Sequence, residues 1–291
     1  MQVDVIHFTD PGCPWAYSAE PDFAALRWRY GNGLRWRRVM IGLSETHEGY
    51  DGRGYRPENS ARSRTSFARR FGMPFRFEAR QRNMGTGLAC RAVKAAELQD
   101  DDLAEALLRA LRFGYFATPL LMDTEEGIAT QAAMVPGLDV DRLLADVTSE
   151  AVEQAYQADR AESRNADQTG RPMILQDKHT DSDGANRYTA PSLVFELDGK
   201  RLVAGGWQSF AVYDAMVANL APDLARRETP EPGELLPEFP FGLTTQEVAV
   251  ACTANLRETE REETLRKLVG LAFEGKARRV DVGDDALWVP V

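Results

Sequence analysis

The sequence predicts a mixed α/β fold, and three observations carry that expectation. A short apolar strand, Val3–Phe8, passes through a Pro11-Gly12 turn into an amphipathic helix and then a second strand. A long run of helical stripes follows between Met84 and Asn165. A proline-led strand, a hairpin and a closing helix occupy residues 188–220. Strand–helix–strand and strand–strand–helix halves around a helical insert make one sheet covered on both faces.

The first helix is expected from Pro14 to Arg29, because proline suits the first helical position, where its missing N–H costs no hydrogen bond. Leu34–Leu43 alternates Leu34 and Trp36 with Arg35 and Arg37, then turns apolar at Val39-Met40-Ile41, as a strand entering a covered sheet does. Residues 44–78 are polar, rich in glycine and arginine and weakly periodic, with one short amphipathic piece at Ala61–Phe71. So long an irregular stretch reads as functional or mobile, and its Arg53 and Arg56 are candidate anion binders or a solvated loop.

Leu88, Ala89, Ala92, Val93 and Ala96 form one apolar helical stripe, and Leu103, Ala106, Leu107, Ala110 and Leu111 the next. Ile128–Met134, Val140–Val147 and Glu150–Asn165 continue the pattern. Tyr188–Phe195 is a strand with Pro191 near its start, Asp198-Gly199 is a hairpin turn, Arg201–Ala204 returns, and Ser209–Leu220 is a helix. Residues 223–240 form a charged, proline-rich connector, partly extended. Beyond it, helices at Thr245–Asn255 and Thr259–Glu274 and a hairpin of Ala277–Val282 with Ala286–Val291 resemble a small winged-helix module at 241–291. More acids than bases in that stretch favour packing or homodimerisation over DNA reading.

The chain has 291 residues, a net charge of -10, 43% apolar residues and 9% aromatic residues, which together argue against disorder and against general affinity for nucleic acid or anionic membranes. No apolar run reaches the ~18 residues of a membrane span. Three widely spaced cysteines make no disulfide framework, and the sequence enters a strand without a charged leader, so the reducing cytoplasm is the expected compartment. His7, His47 and His179 show no metal-ligand spacing.

Chemistry concentrates at Cys13, between the first strand and the first helix, where free N–H groups and the helix dipole favour a thiolate. Cys90 and Cys252 lie on apolar stripes and read as core residues. His7 reads either as a hydrogen-bonded core histidine or as a group that tunes the thiol. Asp10 reads either as a turn acceptor or as a charge that raises the Cys13 pKa.

Strand, turn, Cys13-Pro14-Trp15 and helix, with the Ala190-Pro191 strand and Gly205-Gly206-Trp207-Gln208 downstream, resemble the DsbA-like thioredoxin-fold family over about residues 1–222. The branch in question holds FrnE-like oxidoreductases, 2-hydroxychromene-2-carboxylate isomerases and kappa-class glutathione transferases. The resemblance implies a helical insertion at about 84–165, an arm at 44–78 lying near the thiol, and a cis Pro191 beside the active cysteine. It also implies that Cys13 is catalytic and that Pro14, Trp15, Ala190, Pro191, Trp207, Gln208 and Ser209 bind the substrate. Redox members carry a second cysteine three residues on. Here that position is Ala16, so a dithiol cycle cannot close within the motif.

Two function classes follow. One is a monothiol thiol–disulfide oxidoreductase or disulfide isomerase, with glutathione or mycothiol as co-substrate, a protein disulfide or small thiol as partner, and no tightly bound cofactor. A glutathione-type transferase or isomerase is its variant. The other is a redox-inactive thioredoxin-fold binding protein using the same groove.

Overall fold

The computed structural model describes residues 1–166, 187–253 and 259–291. His179 and the end of the expected Thr245–Asn255 helix lie outside the described residues.

Strand β1 (Val3–Thr9) pairs in parallel with β2 (Leu34–Met40), and antiparallel with β3 (Ser192–Leu197), which pairs with β4 (Lys200–Ala204), giving the order β2-β1-β3-β4. Both faces are covered, which explains the near-continuous apolar run of β1. Val3 and Val5 pack with Phe23 and Leu26 of one layer, while Ile6 and Phe8 face Val39, Tyr188 and Val194 on the other side.

The expected helix at 14–29 is two helices, α1 (Pro14–Ser18) and α2 (Glu20–Tyr30), meeting at Ala19. Pro21 falls at the start of α2, where the missing donor marks the junction. The expected irregular stretch at 44–78 is largely helical, as α3 (His47–Gly52) and α4 (Pro57–Phe71). The amphipathic piece expected at Ala61–Phe71 falls within α4, whose full length weak periodicity hid because only Ala61, Arg64 and Phe71 of its fifteen residues are buried, and one of these is charged.

The helical insert comprises α5 (Gly87–Glu97), α6 (Asp101–Ala117), α7 (Glu125–Ala132), α8 (Val140–Asp146) and α9 (Glu150–Ser163). Side chains of Asp100, Thr124, Asp139 and Ser149 accept from first-turn N–H groups of α6 to α9, so each boundary is capped. Their apolar stripes meet in one core around Val93, Leu107, Leu111 and Leu143. Helix α10 (Phe210–Leu220) returns against the sheet beside α2.

The stretch after α10 is less extended than its prolines suggest. Pro232 opens a short turn of helix, α11 (Pro232–Leu235), with Glu231 and Glu234 forming a reciprocal cap, and Leu235 and Leu236 are fully buried. Strand β5 (Leu243–Thr244), helices α12 (Thr245–Ala251) and α13 (Arg261–Phe273), and a hairpin of β6 (Ala277–Val282) and β7 (Asp285–Pro290) follow. This unit shares a core with α2: Ala24 and Ala25 pack with Leu235, Val248, Leu268 and Trp288. Glu247, fully buried, pairs with Arg109 of α6 (Nη2–Oε2 2.6 Å) and also accepts from the Thr244 N–H at 2.6 Å. No helix among the described residues is long and apolar enough to cross a membrane.

Candidate active site

The Asp10-Pro11-Gly12-Cys13 turn ends β1, closed by Cys13 N–H donating to Asp10 C=O at 3.3 Å. Gly12 is required by packing, since a Cβ there would stand 2.6 Å from the Thr86 methyl. Cys13 is the N-cap of α1 and is 4% exposed. Its thiol donates to the Ala190 carbonyl at 3.1 Å, and the Ala190–Pro191 peptide is cis. The end of β1 and the approach to β3 thus meet at the thiol because the two strands pair antiparallel with Phe8 opposite Ser192.

The thiol is not activated at rest. Burial pushes Cys13 up to about 11; N–H groups of Ala16 and Trp15 oppose this, and the neighbouring Asp10 adds to it. The expectation of a thiolate favoured by a helix N-terminus is corrected here. α1 is only five residues long, so its dipole is small, and loss of water outweighs it.

Asp10 is fully buried and holds the site together. One carboxylate oxygen accepts from Gly12 N–H at 2.8 Å; the other accepts from Leu43 N–H at 2.8 Å and the Thr86 hydroxyl at 2.9 Å, with the Cys90 thiol at 3.7 Å. Burial raises its pKa against these donors. Both earlier readings of Asp10 therefore hold. His7 fits neither of its two. Its buried ring nitrogens have no hydrogen-bond partner, it stacks edge-on against Phe23 (4.9 Å), and burial followed by the nearby Arg112 keeps it neutral. The strand's alternation sends it to the α2 face, whereas the even-numbered Ile6 and Phe8 share the packing layer of Cys13.

A cavity of about 630 Å³ opens beside Cys13, within the size range of small-molecule sites. Cys13, Pro14, Trp15 and Ala190 line it at one end. Pro57, Ser60, Arg64 and Phe67, spaced along one face of α4, line another wall, and Arg53, Arg80 and Arg82 contribute guanidinium groups. Arg56 is not among the lining residues; it donates to the Asp51 and Tyr55 carbonyls. Trp207, Gln208 and Ser209 also stand outside the lining. The Trp207 indole donates to Asp22 at 3.2 Å, the Gln208 side chain donates to Gly205 C=O at 2.9 Å, and Ser209 occupies the N-cap position of α10 without a side-chain capping bond. Trp207 reaches the site's rim through Phe71, which lies edge-on to both Trp15 and Trp207, and through the Arg70 guanidinium, 5.7 Å from each indole.

Sequence reasoning missed Arg64, Arg80 and the staple from Asp10 to Thr86. A signal for Arg64 existed: it lies on the stripe Ala61, Arg64, Phe71, an arginine at an apolar position of a helix. Nothing in the spacing announces Arg80 or Thr86, whose roles depend on contacts across 34 to 76 residues. Among the described residues, no cluster of metal-ligating side chains is present.

Comparison with known proteins fits this geometry. A family model described as Thioredoxin matches residues 6–186. The chain is 26% identical over 293 residues to the ClpXP adapter protein SpxH of Shouchella clausii, covering 98% of this chain and 88% of that protein. SpxH of Bacillus subtilis is 24% identical over 290 residues, with the same two coverages. Among solved structures, the cytosolic disulfide reductase DsbM from Pseudomonas aeruginosa with GSH superposes with a TM-score of 0.51 at 19% identity, covering 76% of this chain and 98% of that one. At that identity the likeness is one of fold.

Proposed function

The chain belongs to the thioredoxin family, and from that premise we propose that it is a thiol–disulfide oxidoreductase working through Cys13 alone, with a low-molecular-weight thiol in place of the absent second cysteine. The observation that carries this reading is the Cys13 thiol on the Ala190 carbonyl at the end of an arginine-lined cavity. The Cys13 thiolate attacks a disulfide R–S–S–R′, forming a Cys13–S–S–R mixed disulfide and releasing R′–S⁻, which takes a proton from water. A second thiolate R″–S⁻ attacks the sulfur of R, forming R–S–S–R″ and returning Cys13 as the leaving thiolate. A ligand N–H that takes over the Ala190 carbonyl would remove the acceptor of the resting thiol and favour ionisation. An extended peptide or thiol tripeptide presents such a donor. Pro14 and Trp15 would form the apolar wall beside the reacting sulfurs.

Intact mass spectrometry after incubation with oxidised glutathione and with oxidised mycothiol tests this. One adduct per chain, lost in Cys13→Ser, is expected with at least one of them. No adduct at pH 9, where the thiolate population is about 100-fold above that at pH 7, would overturn the reading.

Restoring the second cysteine gives an independent check. Ala16 is fully buried in the packing layer that holds Cys13. Ala16→Cys places two sulfurs one helical turn apart, so the variant should oxidise a reduced dithiol peptide stoichiometrically once charged with a disulfide, while the native chain should not. Equal yields from the two would show that Cys13 has another resolving partner.

A second reading, a redox-inactive protein-binding adapter, is favoured by one observation. The ClpXP adapter relatives match 92–98% of the chain, whereas DsbM covers 76%. An intact Cys13→Ser variant that still retains a protein partner by affinity capture would support it.

A further inference from the structure

Among the described residues, two guanidinium groups in the cavity wall have no carboxylate in ion-pair contact, and Arg64 feels Glu78 only at longer range. Arg64 of α4 is 9% exposed and Arg80 is 8% exposed, and neither forms a salt bridge among the described residues. Arg82, by contrast, is paired with Asp123 (Nη2–Oδ1 2.8 Å). Burying a charge without a counter-charge is costly, so an uncompensated pair calls for an explanation.

Helix capping explains part of Arg80. Its Nε donates to Leu120 C=O at 3.2 Å, and its Nη2 donates to Gly114 C=O at 3.0 Å and Thr118 C=O at 2.6 Å, at the C-terminal end of α6. A cation there suits the helix dipole. That arrangement uses three of the five N–H groups. The two on Nη1 are buried and have no partner. Arg64 spends only Nη1, on Arg76 C=O at 3.1 Å. Burial lowers both pKa values, and the Arg64 charge lowers that of Arg80 further. Both residues line the same cavity as Cys13.

We propose that Arg64 and Arg80 form a built carboxylate-binding site, which selects a carboxylate-bearing thiol or disulfide as the partner of Cys13 over an uncharged one. An oxyanion between the two groups accepts from the free N–H pair of Arg80 and from the unused donors of Arg64, and it neutralises their repulsion. The inference rests on the monothiol reading above and narrows it. Glutathione carries two carboxylates and fits. Mycothiol, a thiol on a neutral sugar and inositol frame, carries none and does not.

Calorimetry with S-methylglutathione, which cannot exchange disulfides, separates this site from the thiol chemistry. The Cys13→Ser protein should bind it, and the dimethyl ester of the same ligand should bind at least about 10-fold more weakly. Arg64→Gln, whose single backbone contact makes it the gentler substitution, should lose about 10-fold in affinity for the acid and little for the ester. Arg80→Gln should show the same selective loss if its thermal melt stays cooperative; otherwise Arg64→Gln decides. Malonate should compete with the acid. Equal affinity for acid and ester, or an Arg64→Gln protein indistinguishable from the parent, would overturn the proposal. Those results would leave the monothiol reading standing if oxidised mycothiol still modifies Cys13. Conversely, selective binding of the acid without any Cys13 adduct would keep the carboxylate site and remove the redox function.

Discussion

At pH 7, Cys13 is expected to react with iodoacetamide more than ~100-fold more slowly than a free cysteine. The argument is one of population. A thiol pushed up to about 11 by burial is ionised in roughly one molecule in ten thousand at neutral pH, against a few per cent for a thiol near 8.5. The rate should therefore climb about tenfold per pH unit well past pH 9, where an ordinary cysteine has levelled off. The same shift bears on stability. The folded pKa lies above that of the unfolded chain, so the native state holds this proton more tightly. That contribution is complete below about pH 8.5 and is lost as pH rises toward 11. Mass-resolved alkylation of Cys90→Ser/Cys252→Ser protein across pH 6–10 measures the first effect. A plateau near pH 8 would mean that the thiolate is stabilised after all.

The second large effect concerns Glu247→Ala. This residue caps its own helix through the Thr244 N–H and holds the buried Arg109 guanidinium. Removing it strands a buried cation and leaves a helix start unpaired, a loss of about 3–5 kcal/mol from the ion pair and about 1 kcal/mol from the cap. Arg109 also lies 3.6 Å from Glu20, which shares its charge and places the expectation at the lower end. Urea unfolding should show the loss, and limited proteolysis should cut ahead of α12 sooner than in the parent. A change below about 1 kcal/mol would show that the apolar contacts of Trp288 and Leu268 hold the unit unaided.

Local patterns made much of the fold legible. Pro14 after Cys13, the apolar run of β1 and the Asp198-Gly199 turn each encode an element within a few residues of sequence. The meeting of Cys13 with Ala190-Pro191 was legible only through the resemblance to the DsbA-like family, which implies a cis proline beside the active cysteine. What stayed hidden depends on distant partners. Asp10 is a turn residue on local evidence, yet its carboxylate reaches Leu43 and Thr86, 33 and 76 residues away. The thiol's resting state was misjudged because helix position is written in the sequence, whereas depth below the surface is set by the whole packing layer around Ala16, Tyr188 and Val194. Arg53 was found because its loop is conspicuous, and Arg64 was passed over because its helix is not.

The shared core between α2 and the C-terminal unit has a consequence for how the chain is made. Ala24 and Ala25 are covered by Val248, Leu268 and Trp288, residues that leave the ribosome more than 200 positions later. At about 5–20 residues per second, that face of α2 stays wet for some 10 seconds or more while the sheet and the helical insert are already available to fold. Until the last hairpin emerges with Trp288, the nascent protein presents an apolar strip whose intramolecular cover is incomplete. Translation pauses or premature stops beyond residue 240 should therefore yield species that bind chaperones or aggregate, even though every residue of the thiol site has been synthesised.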